Sequence, residues 1–524
     1  MQGGSIPIRP VGRRSRAVGL VTVLVLVLAA CSGASGGSSG GGSGSGTLRY
    51  GYDLSAQFTD HFDPAKSTGD CDAIVLRPIY DTLIHRDASG NLQPGLVQKW
   101  DISSDGKTVT FHLRPGLRFQ DGTAFDGNAV KNGLIHNQPN PQLTSLQLID
   151  HIDVVDATTV RIALKQAAPL NFIYAMGSRD GMIVSSNSLN SADKQPIGAG
   201  AFRFSGYQPG SKISVTKFPE HYDASSYKLS SIDFTQVGTG PPAVVALKSG
   251  AVDFIRFEAE SYAGLKASPN VGVAIQPTGA YLQFQFRFDK PFDNLKVRQA
   301  FEYAIDRKQI NDIVNAGQGE VASQTFQKST PVYQPSLANV YNYDPAKARQ
   351  LLAEAGYTNG LTIEMVIPGG NIANMERQGA LIQQQLQAVG VTANITRING
   401  SDIATNYYQQ RKGNAFAAER LADPYLVNQI WNQYGKSQYI AIYSNQERQD
   451  ITDLSNQAFA ETDAKKYADL VKQASNIVVD NALEVPIAFV PQFIGYDNAK
   501  VGGTVKAQTD ICDPPDLTGV SMKG

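Results

Sequence analysis

The run DPAKARQLLAEAG, residues 344–356, contains the start, one face and the stop of an amphipathic helix. Asp344 can accept hydrogen bonds from the free N–H groups of a first turn, and Pro345 suits the first helical position, where no N–H is needed. Ala348, Leu351, Leu352 and Ala355 then fall on one side, and Gly356 supplies the stop. The pattern repeats downstream. Ile382, Leu386 and Val389 share a face, Gly390 ends the helix, and Val391, Ala393 and Ile395 alternate as a strand. A further helix is predicted around Tyr467, Leu470, Val471, Ala474, Ile477 and Val478. Strands alternating with helices predict an α/β fold with a partly parallel sheet.

Before about Tyr281 the texture differs. From Thr108 to Leu113, Val109, Phe111 and Leu113 alternate with Thr108, Thr110 and His112, which predicts a half-buried strand. Val160, Ile162 and Leu164 repeat the pattern, as do Ile213 and Val215, beside turn pairs such as Asp105-Gly106, Pro115-Gly116, Asp121-Gly122 and Pro209-Gly210. The chain is therefore expected to join a part rich in antiparallel strands to an α/β part, with a ligand cleft between lobes.

The first 46 residues are of another kind. Arg13, Arg14 and Arg16 precede an apolar run from Val18 to Ala30, which ends in Leu28-Ala29-Ala30-Cys31. A basic end, a short apolar run and small residues before a cysteine form an export signal cut ahead of a lipidated thiol. The thirteen residues of the run fall short of the ~20 that span a bilayer. Ser32 to Gly46 holds only Gly, Ser and one Ala, a flexible tether of roughly 20 Å root-mean-square span. The folded body is expected outside the cytoplasm, on the outer face of the cytoplasmic membrane, anchored through Cys31 alone.

Lys plus Arg (46) nearly cancels Asp plus Glu (47), so the chain has no charge footprint for nucleic acid. Tyr and Phe number 22 each and His only six, which suits aromatic-lined pockets and argues against a metal enzyme. Once Cys31 carries lipid, Cys71 and Cys512 remain, expected either to pair in an oxidising compartment or to stay as buried thiols.

Ser104-Asp105-Gly106-Lys107 has the Ser-x-x-Lys spacing of acyl-serine enzymes, but it sits in a predicted hairpin turn and the chain lacks Ser-Asp-Asn and Lys-Thr-Gly companions. Asp101, Ser103, Asp105 and Gly106 imitate a calcium loop whose twelfth position is His112 rather than Glu. There is no phosphate loop, His-Glu-x-x-His or Cys-x-x-Cys. No catalytic residue, metal or cofactor is assigned.

Several segments together resemble the family 5 extracellular solute-binding proteins, the oligopeptide- and dipeptide-binding group of ABC importers. They include Ile79-Tyr80-Asp81-Thr82-Leu83, Leu92-Gln93-Pro94-Gly95-Leu96 through Trp100, and Phe119-Gln120-Asp121-Gly122-Thr123. Further along come Pro196-Ile197-Gly198-Ala199-Gly200, Ala246-Leu247-Lys248-Ser249-Gly250, Pro291-Phe292-Asp293 and Tyr303-Ala304-Ile305-Asp306-Arg307, in the family's order. The resemblance covers about residues 48 to 500.

It implies a two-lobed, periplasmic-binding-protein-like fold of class II with three interleaved domains. Lobe I would take 47–75, 196–280 and 489–524, an extra β-rich domain 76–195, and lobe II 281–488. Cys71 and Cys512 then share lobe I, which suits their pairing. It also implies a monomeric, non-enzymatic receptor that passes peptides or peptide-like solutes to an ABC permease and its ATPase subunits. The alternatives are another solute, such as nickel complexes, sugars or glutathione-like molecules, and, in a different class, an extracellular serine hydrolase.

Peptide binders of the family carry Trp-x-x-Asp shortly before an acidic-Pro pair, the Asp pairing with the peptide amine. Here Ala417-Ala418-Glu419-Arg420-Leu421-Ala422-Asp423-Pro424 puts Arg420 at that Asp and Ala417 at the Trp. Either Arg420 clamps an anion by bidentate hydrogen bonds, or the alignment slips and Glu419 or Asp423 is the amine partner. Tyr52, Asp53, Tyr281, Gln283 and Trp431 complete the expected ligand-binding residues.

Overall fold

The computed structural model describes residues 46–524 apart from 88, 89, 370–372, 424, 507–511, 513, 514 and 524. The export signal, Cys31 and all of the tether but Gly46 lie outside the described residues, as does Pro424. No helix among the described residues is long and apolar enough to cross a membrane.

Among the described residues, eleven strands form one mixed sheet centred on two long antiparallel strands, Val271–Phe286 and Glu484–Asp497, with the short strand Glu320–Val321 paired to the second. On one side of this pair lie Ala415–Arg420, Leu361–Gly369 and Val391–Asn399, the last two parallel to each other. On the other side lie Phe254–Phe257, Thr47–Tyr52 and Ser231–Gln236, with Thr47–Tyr52 parallel to both its neighbours. Lys212–Lys217 and Phe202–Gln208 complete that edge in antiparallel pairing.

The helix that opens the sequence reading runs Pro345–Glu354. The Asp344 side chain accepts from the backbone N–H of Ala346 and Lys347 at 3.0 and 2.9 Å. Ala348, Leu351 and Leu352 are buried, and Gly356 takes the left-handed φ of 94° that only glycine adopts without strain. Helix Ala373–Gln387 then links Leu361–Gly369 to Val391–Asn399, the crossover that a parallel pair requires.

The β-rich part is a separate four-stranded antiparallel sheet of Val97–Ile102, Thr108–Leu113, Thr159–Leu164 and Ile149–Asp156. Val109, Phe111 and Leu113 point into its core, as their alternation requires. Ser104 is exposed in the turn between its first two strands, and His112 Nε2 lies 2.8 Å from the Asp101 carboxylate as a cross-strand pair.

The buried apolar side chains fall into distinct clusters. Tyr50, Phe62, Tyr80 and Phe234 belong to one, Phe284, Phe301, Met365 and Ile382 to another, and Phe111, Phe119 and Phe172 to a third. Cys71 and Cys512 are joined as a disulfide across 441 residues of sequence.

One buried ion pair fixes helix Arg307–Val314 to the central strands. Arg307 donates to the Glu302 carboxylate, to Pro486 O at 2.8 Å, and to Glu302 O and Tyr341 O at 3.0 and 3.3 Å. Burial pushes the Glu302 carboxyl up to about 7 even with the guanidinium beside it. Arg307→Met strips three carbonyls of their donor and leaves Glu302 unpaired, so it is expected to cost roughly 3–5 kcal/mol in urea denaturation. The loss should shrink from pH 8 to pH 5, because Glu302 can then hold its proton.

Candidate functional site

One of the two long strands, Glu484–Asp497, runs beneath a cavity of about 580 Å³. Val490, Pro491, Gln492 and Phe493, on the strand Glu484–Asp497, line its floor. One wall is made where three neighbouring strands end: Tyr52 and Asp53 after Thr47–Tyr52, residues 237–241 after Ser231–Gln236, and Glu258 to Glu260 after Phe254–Phe257. Ligands of open α/β sheets collect at such carboxyl ends, where loops leave the ladder and expose backbone and polar side chains. Asn315, Asn374, Met375 and Glu419 form the facing wall.

The Tyr52 hydroxyl lies 3.0 Å from both Gln57 O and Cys71 O, which share its one proton, and Cys71 is itself held by the disulfide. Burial raises its phenol far above the usual range, so it stays a neutral donor. Asp53 binds the loop from the neighbouring strand, accepting from Gln236 Nε2 at 3.1 Å and Thr239 N at 3.3 Å.

Acids dominate the lining. Glu258 accepts from Asn374 Nδ2 at 3.3 Å, and Glu260 faces Arg377 Nη1 at 3.3 Å, so two contacts reach across the cavity to helix Ala373–Gln387. Glu419 is the last residue but one of the strand Ala415–Arg420, with its backbone N–H directed at Met375 Sδ. Water reaches Glu419 through the cavity, but protein crowds it on all sides. Burial, reinforced by the negative charge of Glu258 and opposed by Arg256, pushes its carboxyl up to about 7. Burial likewise raises the Glu258 carboxyl, with Glu260 adding to the shift and Arg256 opposing it. Arg256, the cation in the lining, leaves its buried Nη1 without a hydrogen-bond partner among the described residues.

Of the residues expected from sequence, Tyr52 and Asp53 line this cavity and the other five do not. Arg420 donates to Gln429 O and stands opposite Tyr281 in the ladder. Tyr281 is fully buried and donates to Glu484 Oε1 at 2.9 Å. Gln283 is buried, its carbonyl accepting from Gln378 Nε2 at 2.9 Å. Asp423 organises its own loop, accepting from Tyr425 N at 2.9 Å and Asn432 Nδ2 at 3.2 Å. Trp431 packs edge-on against Phe459. Glu419, the alternative amine partner, lines the cavity.

Arg256, Glu258, Glu260 and Asn374 were not singled out by the sequence reading. The available signal was the segment FIRFEAE, residues 254–260, in which an otherwise apolar strand carries one arginine and runs straight into two glutamates.

The architecture is an α/β fold with an acid-lined cavity over its central strands. The model of the bacterial extracellular solute-binding proteins, family 5, matches residues 91–440, and the chain belongs to that family. The glutathione-binding protein GsiB of Escherichia coli strain K12 is 28% identical over 465 residues, covering 83% of this chain and 87% of that protein. GsiB of Pectobacterium atrosepticum is 29% identical over 453 residues, covering 81% and 85%. Among solved structures, the substrate-binding protein CtaP of Listeria monocytogenes superposes with a TM-score of 0.79 at 21% identity, covering 92% of this chain and all of that one. AgaA of A. tumefaciens R10, in complex with agropinic acid, gives 0.71 at 23% identity, covering 91% and 99%. These likenesses establish the shared fold.

A carboxyl raised by folding favours the protonated state, so it contributes stability that is lost as pH climbs from the unfolded value near 4.5 through about 7. Glu419→Gln removes that loss. The variant is expected to match the parent near pH 4 and to exceed it by up to about 3 kcal/mol at pH 8, read by thermal or urea unfolding across that range.

Proposed function

We propose that this chain is a lipid-anchored receptor on the outer face of the cytoplasmic membrane that captures a peptide or peptide-like solute and delivers it to an ABC permease driven by separate ATPase subunits. Its site is the cavity over the central strands, with Tyr52, Asp53, Arg256, Glu258 and Glu419 as binding residues. The observation that carries this reading is Glu419. Its carboxyl accepts no hydrogen bond and has no cation within 4 Å among the described residues, although it is crowded by protein in a cavity large enough for a small peptide. Such a group calls for an amine, since an unpaired buried charge is costly.

The named relatives bind glutathione, a modified tripeptide, which favours a peptide-like solute of similar size. Some structural neighbours bind nickel complexes. Among the described residues no group of three or more His, Cys, Asp or Glu is arranged to hold a metal ion, so direct nickel ligation is the weaker reading. The anion clamp assigned to Arg420 is also weaker, because its guanidinium is engaged with Gln429 O outside the cavity lining. A hydrolase built on Ser104 would need a neighbouring base, and Ser104 stands exposed at a hairpin turn.

Native mass spectrometry on the full chain, recovered from membranes without denaturation, tests the receptor reading. Peptide masses that leave on gentle activation are the expected result; a chain that neither carries nor takes up peptide overturns it. The anchor is tested separately by Cys31→Ser, which is expected to move the chain from the membrane to the soluble fraction. Unchanged membrane retention would remove the lipid.

A further inference from the structure

The charges around the cavity are unevenly shared. Among the described residues, Asp53, Glu258, Glu260 and Glu419 line it, with Arg256 as the cation. Arg377 stands behind this lining, on helix Ala373–Gln387, and faces Glu260. On the same elements, Arg49 pairs with Asp253, Glu376 pairs with Arg397, and Arg420 is turned to Gln429 O, so these three are engaged elsewhere. Tyr52, also titratable, stays neutral.

Two carboxyls are left short of partners. Glu258 has one amide contact, from Asn374 at 3.3 Å, and Glu419 has none among the described residues. They come from different strands, one just after Phe254–Phe257 and the other next to the end of Ala415–Arg420, near enough for the charge of Glu258 to act on Glu419. Holding both groups ionised is unfavourable in a crowded cavity, where water screens the pair poorly. A proton relieves the repulsion, and so does a cation placed between them. Arg256 presents the opposite demand, a buried N–H that requires an anion.

We infer that the cleft selects solutes that carry more positive than negative charge: one carboxylate for Arg256 and two cationic groups for the acids, as in a short peptide with a basic side chain. This deepens the receptor reading and rests on it. Such a solute bridges Glu258 and Glu419 and displaces the proton they hold, so capture releases a proton and tightens as pH rises. The selectivity is opposite to what an anion clamp would give.

The test is isothermal titration calorimetry on the full chain in detergent, with lysyl-alanine, alanyl-alanine and glutathione as probes at pH 7.5 and 5.5. At pH 7.5 lysyl-alanine is expected to bind about tenfold or more tighter than alanyl-alanine, with glutathione weakest. Its affinity should fall about tenfold at pH 5.5, and titrations in buffers of different ionisation enthalpy should show proton release. Glu258→Gln should bring lysyl-alanine to the level of alanyl-alanine while the latter still binds, and matched melting curves should show that the variant is folded. Equal binding of lysyl-alanine and alanyl-alanine by the parent chain, tighter glutathione binding, or a preference that survives in the Glu258→Gln, Glu419→Gln double variant would overturn the charge inference and leave a peptide receptor standing. A folded parent chain that binds none of the three would overturn both.

Discussion

The antiparallel ladder between Val271–Phe286 and Glu484–Asp497 is the constraint on which the rest of the sheet depends. Ala415–Arg420 pairs onto one of its strands and Phe254–Phe257 onto the other, so every further strand of the large sheet hangs from this pair. Yet the ladder is weakened near its middle. Pro277 stands opposite Pro491, and neither has an N–H to give. The register slips between Pro277 and Tyr281. There Thr278 Oγ1 donates to Val490 O at 2.7 Å, and the Gln327 amide takes the Thr278 carbonyl. Side chains thus replace bonds that the backbone cannot make. The interruption coincides with the cavity floor at Val490 to Phe493, so the two sets of strands are joined firmly enough to share a sheet and loosely enough to leave a space.

That placement explains why the site is polar although its supports are apolar. Phe254, Ile255 and Phe257 are buried, and the segment meets the cavity only where its strand ends. Beyond the ladder the backbone is free to turn and the side chains of Glu258 and Glu260 reach the opening. The same logic puts Tyr52 and Asp53 one strand away and Thr239 the next. Asp53 joins these loops to one another, and Tyr52 ties them to the disulfide through Cys71 O. The wall rests on two apolar clusters that share residues with it, Tyr52 in one and Phe257 and Phe493 in the other.

Much of the fold was legible because its signals are local. Asp344-Pro345 and Gly356 bracket a helix by capping chemistry, and Val109, Phe111 and Leu113 declare an inward face by period two; both are found as read. The binding wall was less legible, because it is made by elements far apart in sequence. Glu258 gains its meaning from Asn374 and Glu419, and Glu260 from Arg377, all more than a hundred residues away, and nothing in the composition of residues 254–260 reveals what will face them. Tyr281, Gln283 and Trp431 show the converse. Aromatic and amide residues near a cleft-forming segment attract a binding role from sequence, whereas Tyr281 serves the buried Glu484 and Gln283 the amide of Gln378.

The choice between Glu419 and Arg420 turns on the parity of a strand. Adjacent residues of a strand point to opposite faces, so a slip of one position in aligning residues 417–424 exchanges a carboxylate for a guanidinium at the cavity. The ladder settles which face each takes. Arg420 lies opposite Tyr281, on the side where it acts on the buried hydroxyls of Tyr281, Tyr408 and Tyr434, while Glu419 lies opposite Leu282 and reaches Met375 and the cavity. The neighbouring residues therefore do different physical work. Arg420 supplies positive charge to an interior that contains Glu484 and three phenols, and Glu419 supplies negative charge to the opening. Exchanging them would set a guanidinium near Arg256 in the cavity, a like-charge contact where water screens poorly, and would put a carboxylate where positive charge now acts on the buried Tyr281, Tyr408 and Tyr434 hydroxyls.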